Sequence, residues 1–167
     1  MTMGIELKVE GLEVIIRGTS DPSILRQPIT IGFRQSGQAI AREMSEEAPR
    51  GADSALANSM EAEVERRSPY PTWVRVGPTV GYGEPVAKGS RPHFPPPRAL
   101  ERWVRLKLGV PQDEVKGVAF LVARKISQVG TEANPFHERG LKNSRRELTR
   151  IWNRVADGIA RGIVRGR

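Results

Sequence analysis

The sequence contains no cysteine and only two histidines, His93 and His137. The lack of cysteine excludes disulfides and thiolate metal sites, and a zinc site would need both histidines, from very different contexts, together with carboxylates. No stretch approaches the roughly 18 consecutive apolar residues of a membrane span, and residues 1–10 show no signal-peptide pattern. We therefore predict no metal, no cofactor and no contact with a membrane.

The usual sequence signatures of catalysis are also missing. Gly81-Tyr82-Gly83 does not lead from a buried strand into a helix, as a dinucleotide-binding motif does. Lys88-Gly89-Ser90 has the wrong residue order for a phosphate-binding loop, and no nucleophile lies in a recognisable elbow. Glu61, Glu63 and Glu65 have the alternation of a solvated strand face rather than of an acid/base pair. The sequence thus predicts a protein that is not an enzyme.

Positive charge is abundant and unevenly distributed. The net charge is +8, and residues 137–167 contain nine Lys or Arg against three Asp or Glu. Such a balance suits a nucleic acid, a membrane surface or an acidic protein as partner, and it carries no information on the fold. Aromatic residues make up 5% of the chain, and no zinc-finger, helix-turn-helix or RNA-binding motif is visible. Sequence-specific binding of nucleic acid is therefore not expected, whereas sequence-neutral contact with DNA is.

The C-terminal segment, from about His137 to Arg165, has the pattern of one long amphipathic helix, about 40 Å in length at roughly 1.5 Å per residue. Its apolar residues recur at steps of three, four or seven; they are Leu141, Leu148, Trp152, Val155, Ile159 and Ile163. Its predicted DNA-facing or partner-facing residues are Arg146, Arg150, Arg154, Arg161 and Arg165. The alternative is that these arginines form the solvated face of a core helix.

The rest of the chain has the patterns of a small sheet and further helices. Alternation predicts a β-hairpin or two short strands over residues 5–16 and a strand over residues 73–77, and residues 56–67 fit a strand better than a weak helix. Helical periodicity predicts helices over residues 28–48, 100–108 and 111–129. Core packing is expected to explain the three tryptophans, Trp73, Trp103 and Trp152.

The segment from Gly77 to Pro97 is rich in glycine and proline, and beyond one short strand around residues 82–87 it cannot form regular ladders. Pro95-Pro96-Pro97 favours a stiff, extended polyproline conformation. We interpret the segment as an arm that docks on a neighbouring subunit, with a surface flap as the alternative. The expected contact residues are Tyr82, Glu84, Arg91, His93 and Phe94.

These patterns together predict an α+β fold in a single domain over residues 1–167. A small antiparallel sheet is packed against about four helices, of which the C-terminal one is the longest. Along the chain we expect an N-terminal β-hairpin (1–18), the extended arm (77–97), an inserted helical pair (98–130) and the C-terminal basic helix (131–167).

The order of several short motifs resembles the tail-completion or minor tail proteins of long-tailed bacteriophages, the group that includes the lambda Z-like proteins. The motifs are Ala48-Pro49, the segment Leu56 to Ser59, Tyr82-Gly83 and Pro135-Phe136. Residues 88–93, 100–103 and 118–126 are similar to a longer subtype that inserts two helices before the last motif. The resemblance covers roughly residues 27–159, and its specificity comes from the order of the motifs.

This resemblance implies a structural virion protein of the neck or upper tail, assembled in the bacterial cytoplasm. Such proteins form a ring around the passage for DNA. The resemblance implies that this ring is a hexamer. Their partners are copies of themselves, neighbouring neck, tail-terminator or tail-tube proteins and, non-specifically, the genomic DNA. The alternative function, from a different class, is a sequence-neutral DNA-binding protein that acts as a monomer or dimer.

Overall fold

The computed structural model describes residues 4–18, 23–51, 53–65, 70–71 and 73–165, and within these it describes all side chains except those of residues 13, 14, 18 and 163–165. The fold is α+β, as predicted, with a three-stranded antiparallel sheet and a long C-terminal helix. In chain order the elements are β1 (Ile5–Lys8), α1 (Leu12–Gly18), α2 (Ser23–Glu47), α3 (Ala55–Asn58), β2 (Met60–Val64), β3 (Trp73–Pro78), α4 (Gly83–Lys88), α5 (Pro97–Leu108), α6 (Val115–Val129) and α7 (Phe136–Arg165).

The sheet has the strand order β1-β3-β2, so β3 is central and β2 lies at an edge. Val74 and Val76 of β3 are fully buried, because the inner face of the sheet packs on α2. The opposite face is charged, since Arg75 is in register with Glu6 on β1 and with Glu63 on β2. One face of the sheet therefore belongs to the core, and the other presents charged side chains outward.

The main body of the molecule is formed by α2 and α7, which pack side by side. The two helices run antiparallel: Gly32, early in α2, lies against Trp152 and Val155, late in α7, whereas Met44 lies against Gly140. The rings of Phe33 and Trp152 meet edge to face, with centroids 5.0 Å apart. Glycines on both helices allow the backbones to approach closely, so the contact extends along most of each helix.

The second helical unit consists of α5 and α6, which pack mainly on each other. We call residues 97–129 the helical hairpin. Its own small core includes Val104, Val115 and Ala119, all buried. An isolated antiparallel bridge between Ser90 and Thr131 closes its base, with both backbone N–H···O distances at 3.1 Å. The inserted helical pair predicted from the sequence is thus present, as a unit that projects from the body.

The predicted N-terminal β-hairpin is wrong in its second half, because residues 12–18 form helix α1. Gly11 has a φ of +77°, a left-handed conformation that ends the strand segment. Leu12 and Ile16, four residues apart, then pack on the main core while Ile15 is 49% exposed. This spacing matches one face of a helix, and β1 pairs with β3 instead of with residues 12–16.

The strand predicted around residues 82–87 is also wrong, because Gly83–Lys88 is helical. Gly83 and Ala87, one turn apart, are its buried residues. Pro85 is tolerated because it lies in the first turn, where backbone N–H groups have no partner within the helix. The segment predicted as a strand over residues 56–67 is divided between α3 and β2, and residues 66 and 67 lie outside the described part of the chain.

Two further details differ from the sequence-based prediction. Helix α2 begins at Ser23, so Pro28 lies inside it rather than before it. Of the tryptophans, Trp152 packs against the core, but Trp103 on the helical hairpin is 38% exposed. Trp73 shares the outer face of the sheet with Arg75, whose guanidinium lies 5.3 Å from the centre of the Trp73 ring. Core packing therefore does not explain all three.

Candidate functional site

Four of the predicted basic residues form a row on α7. Arg146, Arg150 and Arg154 follow one another at steps of four, and Arg161 comes seven residues later. These spacings place the side chains on one flank of a helix, and all four side chains are exposed. We call these four residues the arginine row, which spans about 22 Å at roughly 1.5 Å per residue. Arg165 is the last residue of α7, and its side chain lies outside the described part.

The flank that carries the arginine row is set by the buried face of α7. That face includes two small residues, Gly140 and Ser144, and three apolar ones, Leu148, Ile151 and Val155. Because these residues recur at steps of three and four, they form one face of α7, and this face packs on α2. Of these residues, Leu148 and Val155 were predicted from the sequence to be on the apolar face, whereas Ile151, Gly140 and Ser144 were not. Gly140 and Ser144 lack the strong apolar signal on which periodicity depends.

Polar neighbours from α2 complete the surface around Arg154. Gln35 and Arg154 line two shallow clefts between α2 and α7, and Arg42 lines the second of them. The carboxylate in that second cleft, Glu147, accepts a hydrogen bond from Arg42 and is therefore paired. The described surroundings of Arg154 thus combine the Gln35 and Gln38 amides with apolar residues and the Arg42–Glu147 pair. Arginine and amide side chains can contact phosphate oxygens without reading a base sequence.

One arginine of α7 has a structural role instead. Arg139 donates from its Nε to Glu47 of α2 at 2.6 Å, and its Nη2 donates to the Asn134 side chain, also at 2.6 Å. Glu47 accepts a second hydrogen bond from Asn143 at 3.0 Å. The hydrogen bond from Arg139 holds the pKa of Glu47 below its usual value. Arg139 therefore fastens α7 to α2 and does not belong to the arginine row.

The five predicted subunit-contact residues lie in two groups at opposite ends of α4. Tyr82 precedes α4 and is 47% exposed. Glu84 lies in its first turn and pairs with Lys88 at 2.8 Å, and this hydrogen bond lowers the pKa of Glu84. Glu84 thus already has a partner within its own helix, whereas the Tyr82 ring is available for contact with another molecule.

Arg91, His93 and Phe94 lie together at the base of the helical hairpin, and all three are exposed. The Nδ1 atom of His93 lies 2.9 Å from the Arg91 carbonyl oxygen, so the turn is fastened locally. Phe94 is 51% exposed, and its ring meets that of Phe120 edge to face at 6.0 Å. The far end of the predicted arm is therefore continuous with the hairpin surface.

That hairpin surface is the feature that sequence reasoning missed. Among the described residues, ten large hydrophobic side chains are exposed, and seven of them lie between residues 94 and 129. These seven are Phe94, Trp103, Leu106, Leu108, Phe120, Leu121 and Val129. A signal was present, because α5 carries apolar residues at positions 100, 103, 104, 106 and 108, more than one helical face can hold. Exposed apolar clusters of this kind mark sites of protein contact.

The two histidines lie in separate places. His93 is on the surface, while the Nδ1 atom of His137 is buried and has no hydrogen-bond partner among the described residues. In that same part of the chain, no cluster of three or more His, Asp or Glu side chains is arranged to hold a metal ion. No helix in the described ranges is both long enough and apolar enough to cross a membrane.

No protein-family model, no curated protein and no solved structure matches this chain. The likeness to bacteriophage tail-completion proteins therefore rests on the order of the short sequence motifs. The two distinctive surfaces of the described chain are the arginine row on α7 and the apolar surface of the helical hairpin.

Proposed function

We propose that this protein is a structural component of the neck or upper tail of a long-tailed bacteriophage virion. In this proposal copies of the chain assemble as a ring around the DNA passage, and the ring contacts neighbouring neck, tail-terminator or tail-tube proteins. The sixfold copy number is the one implied by the motif resemblance. The protein has no catalytic role in this proposal.

The observation that carries the proposal is the separation of two surfaces with different chemistry. The helical hairpin exposes most of the large hydrophobic side chains found on the described surface, whereas α7 exposes the arginine row. The hairpin suits contact with protein, since a chain that acted alone would bury such a surface. The arginine row suits a polyanion. A ring subunit around DNA needs both surfaces at once.

The chemistry of the arginine row supports contact with DNA that moves past the protein. Guanidinium groups neutralise phosphates through charge, which does not depend on the base sequence. The described neighbours from α2 add the exposed side-chain amides of Gln35 and Gln38, which supply further donors. A contact without base readout neither selects nor holds one DNA segment, and this property suits the lining of a passage.

Electron microscopy of particles from a parent phage that lacks this gene tests the proposal. We expect full heads to accumulate beside unattached or misformed tails, and the wild-type gene supplied in trans to restore joined virions. Complementation with R150E/R154E is expected to restore joining incompletely. The charge reversal R17E, at an exposed residue of α1 that belongs to neither the arginine row nor the helical hairpin, should restore joining like the wild type. Normal, infectious virions without the gene would overturn the proposal.

A sequence-neutral DNA-binding protein, acting as a monomer or dimer, is the second candidate. It is favoured by the exposure of the arginine row on a single chain. In that case the purified protein binds duplex DNA, and log K falls with log salt concentration by about 0.9 for each phosphate contacted, or roughly 3 to 4 for four arginines. Ring formation with little affinity for free DNA supports the neck protein instead.

A further inference from the structure

The exposed side of α5 combines cations with an aromatic anchor. Trp103 and Leu106 are exposed and lie about one helical turn apart. Arg98 and Arg105 of the same helix are exposed as well, whereas the nearby Arg102 already lies 3.5 Å from Asp53 of its own chain. Residues 94–129 contain seven Lys or Arg against three Asp or Glu, so the whole hairpin is positively charged. Tryptophan and arginine are the residue types that dominate binding energy at protein interfaces. The hairpin therefore requires a partner surface that is acidic and can receive an aromatic side chain.

A surface with these properties is present on the same chain. The outer face of the sheet carries three carboxylates, Glu6, Glu61 and Glu63, against two cations, Lys8 and Arg75. Among them, Glu61 and Glu63 are exposed on β2, the edge strand, on the outer face of the sheet. They line a cleft with a volume of about 320 Å³, together with Gly4, Gly77 and Arg75. The Arg75 guanidinium already donates to Glu6 at 2.9 Å, so the charges of Glu61 and Glu63 remain in excess in the cleft.

The shape of this cleft fits an inserted side chain. Glu61 is in register with Gly77, and because Gly77 has no side chain, the sheet face is recessed beside the carboxylate. The cleft volume lies at the lower end of the range of roughly 300–1,000 Å³ that is typical of ligand pockets. An aromatic group flanked by arginines could enter here, with the arginines close to the two carboxylates.

The charge distribution also decides between two copies docking hairpin to hairpin and two copies docking hairpin to sheet. Two hairpins in contact would bring together two surfaces that each have an excess of positive charge, which costs binding free energy. A hairpin on a sheet pairs opposite charges. Since the two surfaces are different patches of one chain, each copy would still have one free surface after docking, and the contact would repeat until a ring closes.

We propose that the helical hairpin of one copy docks on the outer sheet face of the next, with Trp103 and Leu106 against the cleft beside Glu61 and Glu63. This inference rests on the proposed self-assembly and adds the two surfaces that form the contact. It also assigns roles to residues outside the predicted arm. Phe94, at the base of the hairpin, lies at the margin of the same contact.

The test uses the full chain and light scattering coupled to size-exclusion chromatography over a range of concentration and salt. W103S/L106S removes the hairpin anchor, E61K/E63K reverses the charge of the sheet face, and I31S removes an exposed hydrophobic side chain from α2 as a matched control. We expect each double variant to weaken association by about 30-fold or more, as truncation of a central interface residue does. The control I31S should assemble like the wild type.

Mixing the variants distinguishes a hairpin-to-sheet contact from every symmetric one. W103S/L106S keeps its sheet face and E61K/E63K keeps its hairpin, so an equimolar mixture is expected to form a 1:1 dimer and nothing larger. A charge-only hairpin variant, R98E/R105E, covers the case in which W103S/L106S fails to fold. Mixed with E61K/E63K, it should form assemblies of the full wild-type size, because reversed hairpins then meet reversed sheets.

The outcomes separate this inference from the proposed function. If the wild type assembles and E61K/E63K assembles equally well, the hairpin-to-sheet contact is overturned and the ring stands. Mixtures of variants that stay monomeric beside an assembling wild type overturn the contact in the same way. A wild type that stays monomeric under all conditions overturns the ring and this inference together.

Discussion

The α2–α7 body and the helical hairpin are both pairs of amphipathic helices, yet they differ in what covers their apolar residues. In the body, Phe33, Ile40 and Phe136 are completely buried, because the helices pack on each other and on the sheet. In the hairpin, Phe120 and Leu121 remain at least half exposed. Two helices alone cannot enclose apolar residues on more than one face of each. The apolar residues of the hairpin are thus left uncovered within the single chain.

The same contrast holds for charge. Arg139 in the body is held by Glu47 and the Asn134 side chain, so its charge is used within the fold. The arginine row, on the same helix, has exposed side chains. Identical residue types on one helix therefore have different environments, and for Arg139 it is Glu47 on α2 that makes the difference.

The largest effect is expected from removing a body side chain and comparing it with the hairpin. Phe33→Ala should lower the free energy of unfolding by about 3–5 kcal/mol, because it leaves a cavity against Trp152. Leu121→Ala, at a side chain that is 59% exposed, should change it by less than about 0.5 kcal/mol. Urea denaturation at low protein concentration measures both. Equal losses would contradict the contrast between covered and uncovered helices.

Glycine substitutions in α7 sharpen the comparison along a single helix. A Cβ atom on Gly140 would lie 2.7 Å from the Met44 backbone, so Gly140→Ala should cost about 1–3 kcal/mol of stability. A Cβ atom on Gly158 would have no neighbouring atom within 4 Å. Gly158→Ala should therefore raise the free energy of unfolding by about 0.5–1 kcal/mol, because alanine has the higher helix propensity. Thermal and urea unfolding of both variants check the opposite signs. A stabilising Gly140→Ala would show that the helices are not in close contact there.

A smaller gain is expected at the α2–α7 contact from Ser36→Ala. The Ser36 hydroxyl is fully buried and has no hydrogen-bond partner among the described residues. A buried polar group without a partner is costly, so alanine should raise the free energy of unfolding by about 1 kcal/mol. Ser144→Ala is the matched control on α7, because the Ser144 hydroxyl donates to the Leu141 carbonyl at 2.9 Å. A loss of stability in Ser36→Ala would indicate a hydrogen bond that this contact needs.

The pH dependence of stability gives the last prediction. The Arg139 hydrogen bond keeps the pKa of Glu47 below its usual value of 4.5 in the folded state. The Glu47 carboxylate therefore contributes fully to the free energy of unfolding above its pKa in the unfolded chain. That contribution is lost as the pH falls through the pKa of Glu47 in the folded chain. Glu47→Gln should lower stability at neutral pH and flatten the decrease below about pH 4.5. Glu46→Gln, at an exposed position next to Glu47, should leave the dependence of the free energy of unfolding on pH unchanged. If Glu47→Gln also left it unchanged, the ion pair between Glu47 and Arg139 would not be formed.

Much of the fold follows from periodicity, because an apolar stripe at helical spacing requires a helix. The four long helices were predicted in this way, and α7 extends over nearly the predicted range. Two short segments were predicted wrongly as strands, residues 12–16 and 82–87. In residues 12–16, Leu12, Val14 and Ile16 alternate but also fit a helix, and the contact of Leu12 and Ile16 with the core decides the outcome. In residues 82–87 the pattern is too short to decide, and the burial of Gly83 and Ala87, one turn apart, fits a helix.

The candidate surfaces were predicted unequally. The arginine row was found because charge at steps of four and seven is visible in the sequence, whereas the hairpin surface was missed. Periodicity identifies an apolar face but does not say whether another element of the chain will cover it. Trp103 illustrates this point, since its helical position suits a core residue and its side chain is 38% exposed.

The class of the fold, the position of the long helices and the excess of positive charge toward the C-terminal end can all be read from the amino-acid sequence. These properties depend on residue type and on short spacings, which are local. The pairing of Arg139 with Glu47, the exposure of Arg150 and the different coverage of body and hairpin became visible only in the folded chain. Those outcomes depend on which distant segments come into contact. Burial and ion pairing arise from that contact, so neither segment alone shows them.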